Sequence, residues 1–215
     1  MTLYVKKEKT ASFDVDPQNC FTDVCPDELP VPGGTDIVDE LNTQAKKAKI
    51  RIVSKEAHPP NAKWIADDDN PQFSAIDGEN MDIRWNAHGI VGTKGFKLIK
   101  GLPAESEYNF IAYKGIEPDM HPYGACYHDF AEKMSTGAIE VLKENNIETL
   151  ILGGLATDYC VKMTVLQLLK AGFKVIVNLA ACRGIDEKTV KTAIKEMEKK
   201  GATFVKNSQE IKNIY

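Results

Sequence analysis

The sequence predicts a three-layer α/β/α protein, in which helices cover both faces of a mainly parallel six-stranded sheet. Short apolar runs rich in β-branched residues alternate along the chain with amphipathic segments, and this pattern is typical of strands covered on both faces. Alternation of strand and helix favours right-handed crossovers between parallel strands. A length of 215 residues and a hydrophobic content of 43% suit one sizeable core, so we expect a single domain over residues 1–215.

The first part of the chain supplies two strands and the helix between them. Residues 11–15 and 50–54 are short apolar runs of the kind that form buried strands. Residues 36–48 place Ile37 and Leu41 on one side of a predicted helix.

The next segment, residues 55–109, interrupts this alternation. It is rich in proline, aspartate and asparagine, and it is too long for a passive connection in a compact domain. We therefore expect this loop to build a site.

The remainder of the chain returns to regular alternation. The predicted strands are residues 110–113, 149–152, 174–178 and 203–206, and the predicted helices are residues 135–144, 158–171 and 187–200. Ile139 and Leu142 mark the inner side of the first of these helices, and Val165 and Leu168 mark that of the second. Gly172 ends the second helix, a position where glycine is common.

The composition excludes several classes of partner. The 27 basic and 31 acidic residues are interspersed, giving a net charge of -4 without a basic stripe for nucleic acid or a polybasic run for a membrane surface. No apolar stretch approaches the roughly 18 residues of a membrane helix. Five cysteines at irregular spacing fit a reducing compartment. We expect a soluble cytoplasmic protein that acts on a small molecule.

Cys160 follows a buried strand through glycines into the first turn of a predicted helix. Unpaired N–H groups and aligned peptide dipoles at a helix start favour a thiolate and can hold an oxyanion. The alternative is that Cys160 is a small packing residue, which is the commonest role of a free cysteine.

Two further polar residues, Asp16 and Lys114, follow other predicted strands. The carboxyl ends of parallel strands form the ligand crevice of such sheets, so these residues are predicted to meet Cys160 there. A carboxylate can accept the thiol proton, and a lysine stabilises both anions. The three residues predict an acyl-transfer centre.

The long loop offers a candidate metal site. Glu56 and His58 alternate along an extended segment and point the same way, and His88 follows later in the loop. A carboxylate and two imidazoles suit zinc, iron or manganese. His121 and His128 lack a comparable carboxylate, and we expect them to be structural or surface residues.

Together these residues resemble the nicotinamidases, also called pyrazinamidases, of the isochorismatase-like cysteine hydrolases. The resemblance covers nearly the whole chain. It is carried by Asp-x-Gln-Asn-x-Phe at residues 16–21, Glu-x-His at 56–58, Trp-x-x-His at 85–88, Lys114, and Gly-Gly-Leu-Ala-Thr-Asp-Tyr-Cys-Val at 153–161.

The resemblance implies a role for each matching residue. It implies a catalytic triad of Asp16, Lys114 and Cys160, and one divalent metal ion held by Glu56, His58 and His88, with zinc favoured over iron or manganese. It implies that the substrate ring is contacted by Phe21, Trp85, Tyr123 and Leu155. It also implies an oxyanion hole at the amides of Ala156 and Cys160, after a cis peptide bond between Leu155 and Ala156.

The activity implied by the resemblance is hydrolysis of nicotinamide to nicotinate and ammonia through a cysteine thioester, as in NAD salvage. Pyrazinamide is an expected second substrate, and a homo-oligomer is possible for such a chain. The alternatives are a related hydrolase acting on an N-carbamoyl compound or a maleamate, and a catalytically silent binding protein on the same scaffold.

The chain departs from the family pattern at two places. Relatives usually carry aspartate at the position of Glu56, whose extra methylene moves the carboxylate by roughly one bond length and changes how it reaches a metal. The further histidine found just beyond His58 in many relatives is also absent, and Trp64 is expected to pack the loop there.

Overall fold

The computed structural model describes residues 2–214, over which strands and helices alternate. The strands are β1 Leu3–Lys6, β2 Thr10–Val15, β3 Ile50–Glu56, β4 Ala75–Gly78, β5 Met81–Ile83, β6 Phe110–Lys114, β7 Thr149–Leu155, β8 Lys174–Arg183, β9 Thr203–Val205 and β10 Ile211–Ile214. The α-helices are α1 Val38–Ala45, α2 Ala138–Glu144, α3 Lys162–Lys170 and α4 Glu187–Lys199. Within the described residues, no helix is both long enough and apolar enough to cross a membrane.

Six of the strands form one sheet in the order β6-β3-β2-β7-β8-β9. Every neighbouring pair in this sheet is parallel, which confirms the predicted fold class. From the central strand β2, the chain adds β3 and β6 on one side and β7, β8 and β9 on the other. The order of strands therefore reverses beside β2, and in parallel sheets this is where ligands bind, at the carboxyl ends.

Residues on β7 show how the two faces of the sheet are covered. Leu150 and Leu152 belong to a core shared with α2, α3 and α4, whereas Ile151 lies in a separate cluster with Val5 and Ile211 of β1 and β10. Alternate residues of a strand face opposite sides, so the two clusters cover opposite faces. Helix α1 packs on β2, β7 and β8 through Leu41. The second face is thus covered by one helix and by a two-stranded parallel ribbon, β1 with β10.

The bounds of several elements differ from the predictions. Strand β3 extends to Glu56, which pairs with Lys114, and β7 extends through two glycines to Leu155, which pairs with Arg183. Polar residues and glycines end the apolar runs in the sequence, but the backbone ladder continues through them. The helix predicted at 158–171 begins as a π-helix, Thr157–Val161, before α3.

The loop predicted at 55–109 contains the antiparallel hairpin β4–β5 and a small core of its own. Ala62, Trp64, Met81 and Trp85 are buried together in this core. The loop is therefore a packed layer that lies over the carboxyl ends of the strands.

Candidate active site and metal centre

Four buried polar side chains converge at the carboxyl ends of four adjacent strands. Asp16 directly follows β2, Glu56 ends β3, Lys114 ends β6, and Cys160 lies in the π-helix after β7. None of the four residues is more than 5% exposed. The structure therefore brings Asp16, Lys114 and Cys160 together, and it adds Glu56 to them.

Lys114 lies at the centre of this group. Its Nζ is 3.2 Å from Asp16 Oδ2 and 3.6 Å from Cys160 Sγ, it contacts Glu56 Oε1, and it donates a hydrogen bond of 3.1 Å to the carbonyl oxygen of Pro122. Burial opposes the charge of Lys114, but the carboxylates of Asp16 and Glu56 outweigh it and hold the pKa of Lys114 well above its usual value. The lysine is therefore a fixed positive charge between two carboxylates and the thiol.

Asp16 is held in a strained conformation by β3. Its φ of 45° lies in the left-handed region, which is uncommon for non-glycine residues, although aspartate is among those that adopt it. Ser54 Oγ donates a hydrogen bond of 2.7 Å to Asp16 Oδ1, and Asp16 N donates one of 3.2 Å to Ser54 Oγ. Burial raises the pKa of Asp16 to about 6 although Lys114 lowers it. A carboxylate with this pKa is suited to accept a proton near neutral pH.

The Cys160 side chain is a thiol at rest. Burial raises the pKa of Cys160 well above its usual value; Lys114 lowers it, and Asp16 and Glu56 raise it further. The expectation that the helix start favours a thiolate is therefore not met, because desolvation and two adjacent carboxylates outweigh the lysine. The thiol needs a base at the moment of attack, and Asp16 is within reach of it, since one oxygen each of Asp16 and Glu56 lies within 4.8 Å of Sγ.

The predicted metal ligands Glu56, His58 and His88 also lie together, and all three are buried. His58 Nδ1 donates a hydrogen bond of 2.9 Å to the carbonyl oxygen of Gly115, and His88 Nδ1 donates one of 2.7 Å to that of Asn86. Since a carbonyl only accepts, each ring donates from Nδ1, and Nε2 is the nitrogen available to a ligand. This anchoring is typical of metal-binding histidines.

The donor atoms of this cluster fit a divalent cation. Glu56 Oε2 and His58 Nε2 contact each other, and neither has a hydrogen-bond partner among residues 2–214. Burial, assisted by His58, lowers the pKa of His88 to about 4, and a neutral imidazole is the form that binds metals. One carboxylate with neutral imidazoles suits zinc, iron or manganese.

Glu56 connects the two clusters. Its Oε1 contacts Lys114 and accepts from Cys160 Sγ at 3.5 Å, while Oε2 faces His58. Burial opposes ionisation, but Lys114 and His58 outweigh it and hold the pKa of Glu56 well below its usual value. Gln18 fixes the backbone of Glu56 by accepting from its N–H at 2.7 Å and donating to its carbonyl at 2.9 Å. The longer side chain thus reaches the catalytic group as well as the histidines.

His121 lies in the same cluster, contrary to the expectation of a structural or surface role. The residue is 3% exposed, and one ligand atom each of Glu56, His58, His88 and His121 lies within 4.8 Å of the others. His128 is half-buried and lies outside this group. His121 comes from the loop between β6 and α2, and Asp119 stands two positions before it, so the sequence does offer a local signal with the same acid-x-His spacing as Glu56 and His58.

A small cavity of about 20 Å³ lies between the group of Asp16, Glu56, Lys114 and Cys160 and the histidines. The predicted ring contacts Phe21, Trp85 and Tyr123 line it beside Cys160 and Ala156. Leu155 does not line it; its side chain is fully buried in a core cluster, and a cis peptide bond joins it to Ala156. Sequence reasoning missed the lining residues Leu29, Tyr159 and Ile185, of which only Tyr159 had a signal, its position next to Cys160.

A second, outer cavity of about 370 Å³ adjoins the first and shares Tyr123 and Tyr159 with it. The two tyrosine rings lie 5.7 Å apart, and Tyr123 Oη donates a hydrogen bond of 2.7 Å to Asp82 on strand β5. Trp85 Nε1 donates to Tyr123 Oη at 3.4 Å. These tyrosines therefore form the wall between the small cavity beside Cys160 and the outer cavity.

Replacing Gly115 with alanine is expected to weaken metal binding by about 10- to 100-fold, the usual effect of disturbing a ligand's anchor. A Cβ at this position would lie 2.2 Å from His58 Cε1, so the ring has to move. Equilibrium dialysis against zinc measures the loss. Gly92→Ala is the matched control, since Gly92 also has a positive φ but would meet nothing within 4 Å. An equal loss in both variants would assign the effect to backbone strain instead.

Comparisons with known proteins agree with this geometry. The family model described as the isochorismatase domain matches residues 10–209. The chain is 32% identical over 185 residues to a nicotinamidase of Escherichia coli, covering 82% of this chain and 85% of that protein. Among solved structures, it is similar to a nicotinamidase and pyrazinamidase of Acinetobacter baumanii, with a TM-score of 0.86 and 28% identity over 94% of this chain and 98% of that one. A pyrazinamidase of Pyrococcus horikoshii in complex with zinc matches with a TM-score of 0.73 and 26% identity over 92% and 98% of the two chains.

Proposed function

The chain belongs to the isochorismatase family, and we propose that it hydrolyses nicotinamide to nicotinate and ammonia. One observation carries the proposal. Lys114 contacts the thiol of Cys160 and the carboxylates of Asp16 and Glu56, beside a cavity walled by aromatic rings. Similarity to nicotinamidases over most of the chain supports this substrate and a role in NAD salvage. We propose the cytoplasm as the location of the reaction.

In the proposed reaction, Asp16 accepts the proton of the Cys160 thiol as the sulfur attacks the carboxamide carbon. The amides of Ala156 and Cys160 stabilise the oxyanion, and each such donor typically lowers the barrier by about 3 kcal/mol. Asp16 returns the proton to the departing nitrogen, and ammonia leaves a thioester. Asp16 then activates a water that hydrolyses the thioester, which releases nicotinate and restores the thiol.

Lys114 stabilises the negative charges of Asp16 and Cys160 throughout the cycle. Because it stays protonated beside both Asp16 and Cys160, it compensates for the negative charge that passes between carboxylate and sulfur. Phe21 and Trp85 hold the pyridine ring by contact with its faces and edges.

Glu56, His58 and His88 would hold one divalent metal ion, with zinc as the proposed metal and iron or manganese as alternatives. When bound, the metal would act as a Lewis acid toward the pyridine nitrogen, orienting the ring and drawing electron density from the carboxamide. The zinc-bound pyrazinamidase neighbour supports this assignment. The donor set also argues against the N-carbamoyl and maleamate hydrolases, which generally lack it.

Ammonia release from nicotinamide by the purified protein tests the proposal. We expect turnover with zinc, iron or manganese supplied, a loss of turnover after chelation, and recovery when metal is restored. Pyrazinamide should also be hydrolysed, whereas maleamate and N-carbamoyl compounds serve as negative controls. Absence of ammonia from nicotinamide under all three metals would refute the proposed function.

A further inference from the structure

His121 is a buried imidazole with no hydrogen-bond partner on either ring nitrogen among residues 2–214. Its backbone is fixed by a hydrogen bond of 2.8 Å from His121 N to the carbonyl oxygen of Asn80. The ring centroid lies 5.2 Å from that of His58 and 5.6 Å from that of His88. A buried polar ring without partners is destabilising unless a ligand satisfies it.

The neighbours of His121 leave few possibilities for that ligand. Trp64 and Trp85 lie against the ring, with centroids 4.4 and 5.9 Å away, and neither can accept a hydrogen bond from it. Glu56, His58 and His88 each offer a ligand atom within 4.8 Å of one on His121, and the Tyr123 ring lies 5.3 Å from the His121 ring. The three ligand atoms are the same atoms that converge on the metal site.

We infer that His121 is a fourth protein ligand of the divalent metal. The inference rests on the metal site of the proposed function and adds a residue from the β6–α2 loop to it. Trp64, six residues after His58, packs directly on His121. The third imidazole is thus supplied from another loop.

A fourth ligand has a consequence for coordination. Four protein ligands fill a tetrahedral zinc site, whereas catalytic sites keep a position open. If the substrate nitrogen also binds, the metal would carry five ligands, a number that zinc also reaches at some catalytic sites. A fourth protein ligand therefore requires a metal that can expand from four ligands to five when the substrate binds.

The test compares zinc affinity and cobalt spectra of wild-type protein, His121→Phe and His88→Phe, with His128→Phe as the matched control. Phenylalanine keeps the ring and removes both nitrogens, and His128 lies in the same loop outside the cluster. We expect zinc affinity, measured by competition with a chelator, to fall at least about 10-fold in His121→Phe and to be unchanged in His128→Phe. The visible absorption of the cobalt-loaded protein should change in His121→Phe as one nitrogen ligand is lost.

The outcomes separate this inference from the proposed function. If wild-type protein binds no metal, the metal site itself is refuted. If His88→Phe loses affinity but His121→Phe keeps wild-type affinity and spectrum, only the fourth ligand is refuted. A raised KM for nicotinamide without a change in zinc affinity would assign His121 to ring stacking and refute the inference as well. His121→Asn, a smaller polar variant, repeats the measurement if His121→Phe fails to fold.

Discussion

Replacing Cys160 with alanine is expected to lower kcat for nicotinamide by a factor on the order of 10⁴ to 10⁶, because the covalent route disappears. Sγ is the proposed nucleophile and contacts Lys114, and no other described thiol lines the cavity. Nicotinamide should still bind, since Phe21 and Trp85 remain in place. Ammonia release under single-turnover conditions measures the effect, and mass spectrometry of quenched wild-type protein should detect the thioester that the variant lacks.

Cys126→Ala is the control for this experiment. Cys126 is also a buried free cysteine of the main core, but it does not line the cavity. We expect it to retain wild-type turnover once folding is confirmed by circular dichroism. Comparable activity in Cys160→Ala and Cys126→Ala would mean that the reaction does not use a cysteine nucleophile.

Replacing Asp16 with asparagine is expected to lower kcat/KM by a factor on the order of 10² to 10⁴, the usual contribution of a general base. Asparagine tolerates the left-handed φ of this position and can keep the hydrogen bond from Ser54, so the fold should survive. The loss therefore reports on proton transfer.

The pH profile provides a second signature of Asp16. The pKa of this carboxyl is raised to about 6, and only its ionised form accepts a proton. In wild-type protein, kcat/KM should be level above pH 6 and fall about tenfold per unit below it, because one proton blocks the base. The variant should lack this acidic limb.

Asp14→Asn is the matched control, since burial raises the pKa of Asp14 to about 6 as well. Asp14 pairs with Arg51 at 2.7 Å and accepts from Tyr108, away from the thiol. Its variant should keep the acidic limb. If the acidic limb is lost in Asp14→Asn and retained in Asp16→Asn, our assignment of Asp16 as the base is wrong.

The sequence contains enough information to predict the main sheet, because each of its six strands is an apolar run between amphipathic segments. It does not reveal the ribbon of β1 and β10, since Leu3–Lys6 and Ile211–Ile214 are short, mix apolar and polar residues, and pair only through the tertiary fold. The same limit applies to β7, whose last residues are held in the ladder by pairing with β8 rather than by their own propensity.

The candidate site was also only partly predictable from the sequence. Asp16, Lys114 and Cys160 each follow a predicted strand, so the rule for parallel sheets brings them together. His121 has no such marker, because its place beside His58 depends on how a loop packs on another loop. The state of the Cys160 thiol was also beyond sequence reasoning, since it depends on burial and on two carboxylates that only the fold brings near.

The size of the small cavity beside Cys160 affects how substrate preference should be measured. A volume of about 20 Å³ has room for about one water molecule, so a pyridine ring enters only after a wall moves, at Tyr123 or Tyr159. The apparent affinity for any ring substrate then includes the fraction of molecules that are open. This factor is common to nicotinamide and pyrazinamide, so it cancels in the ratio of their kcat/KM values. That ratio reports ring recognition alone, whereas either constant by itself also contains the cost of opening.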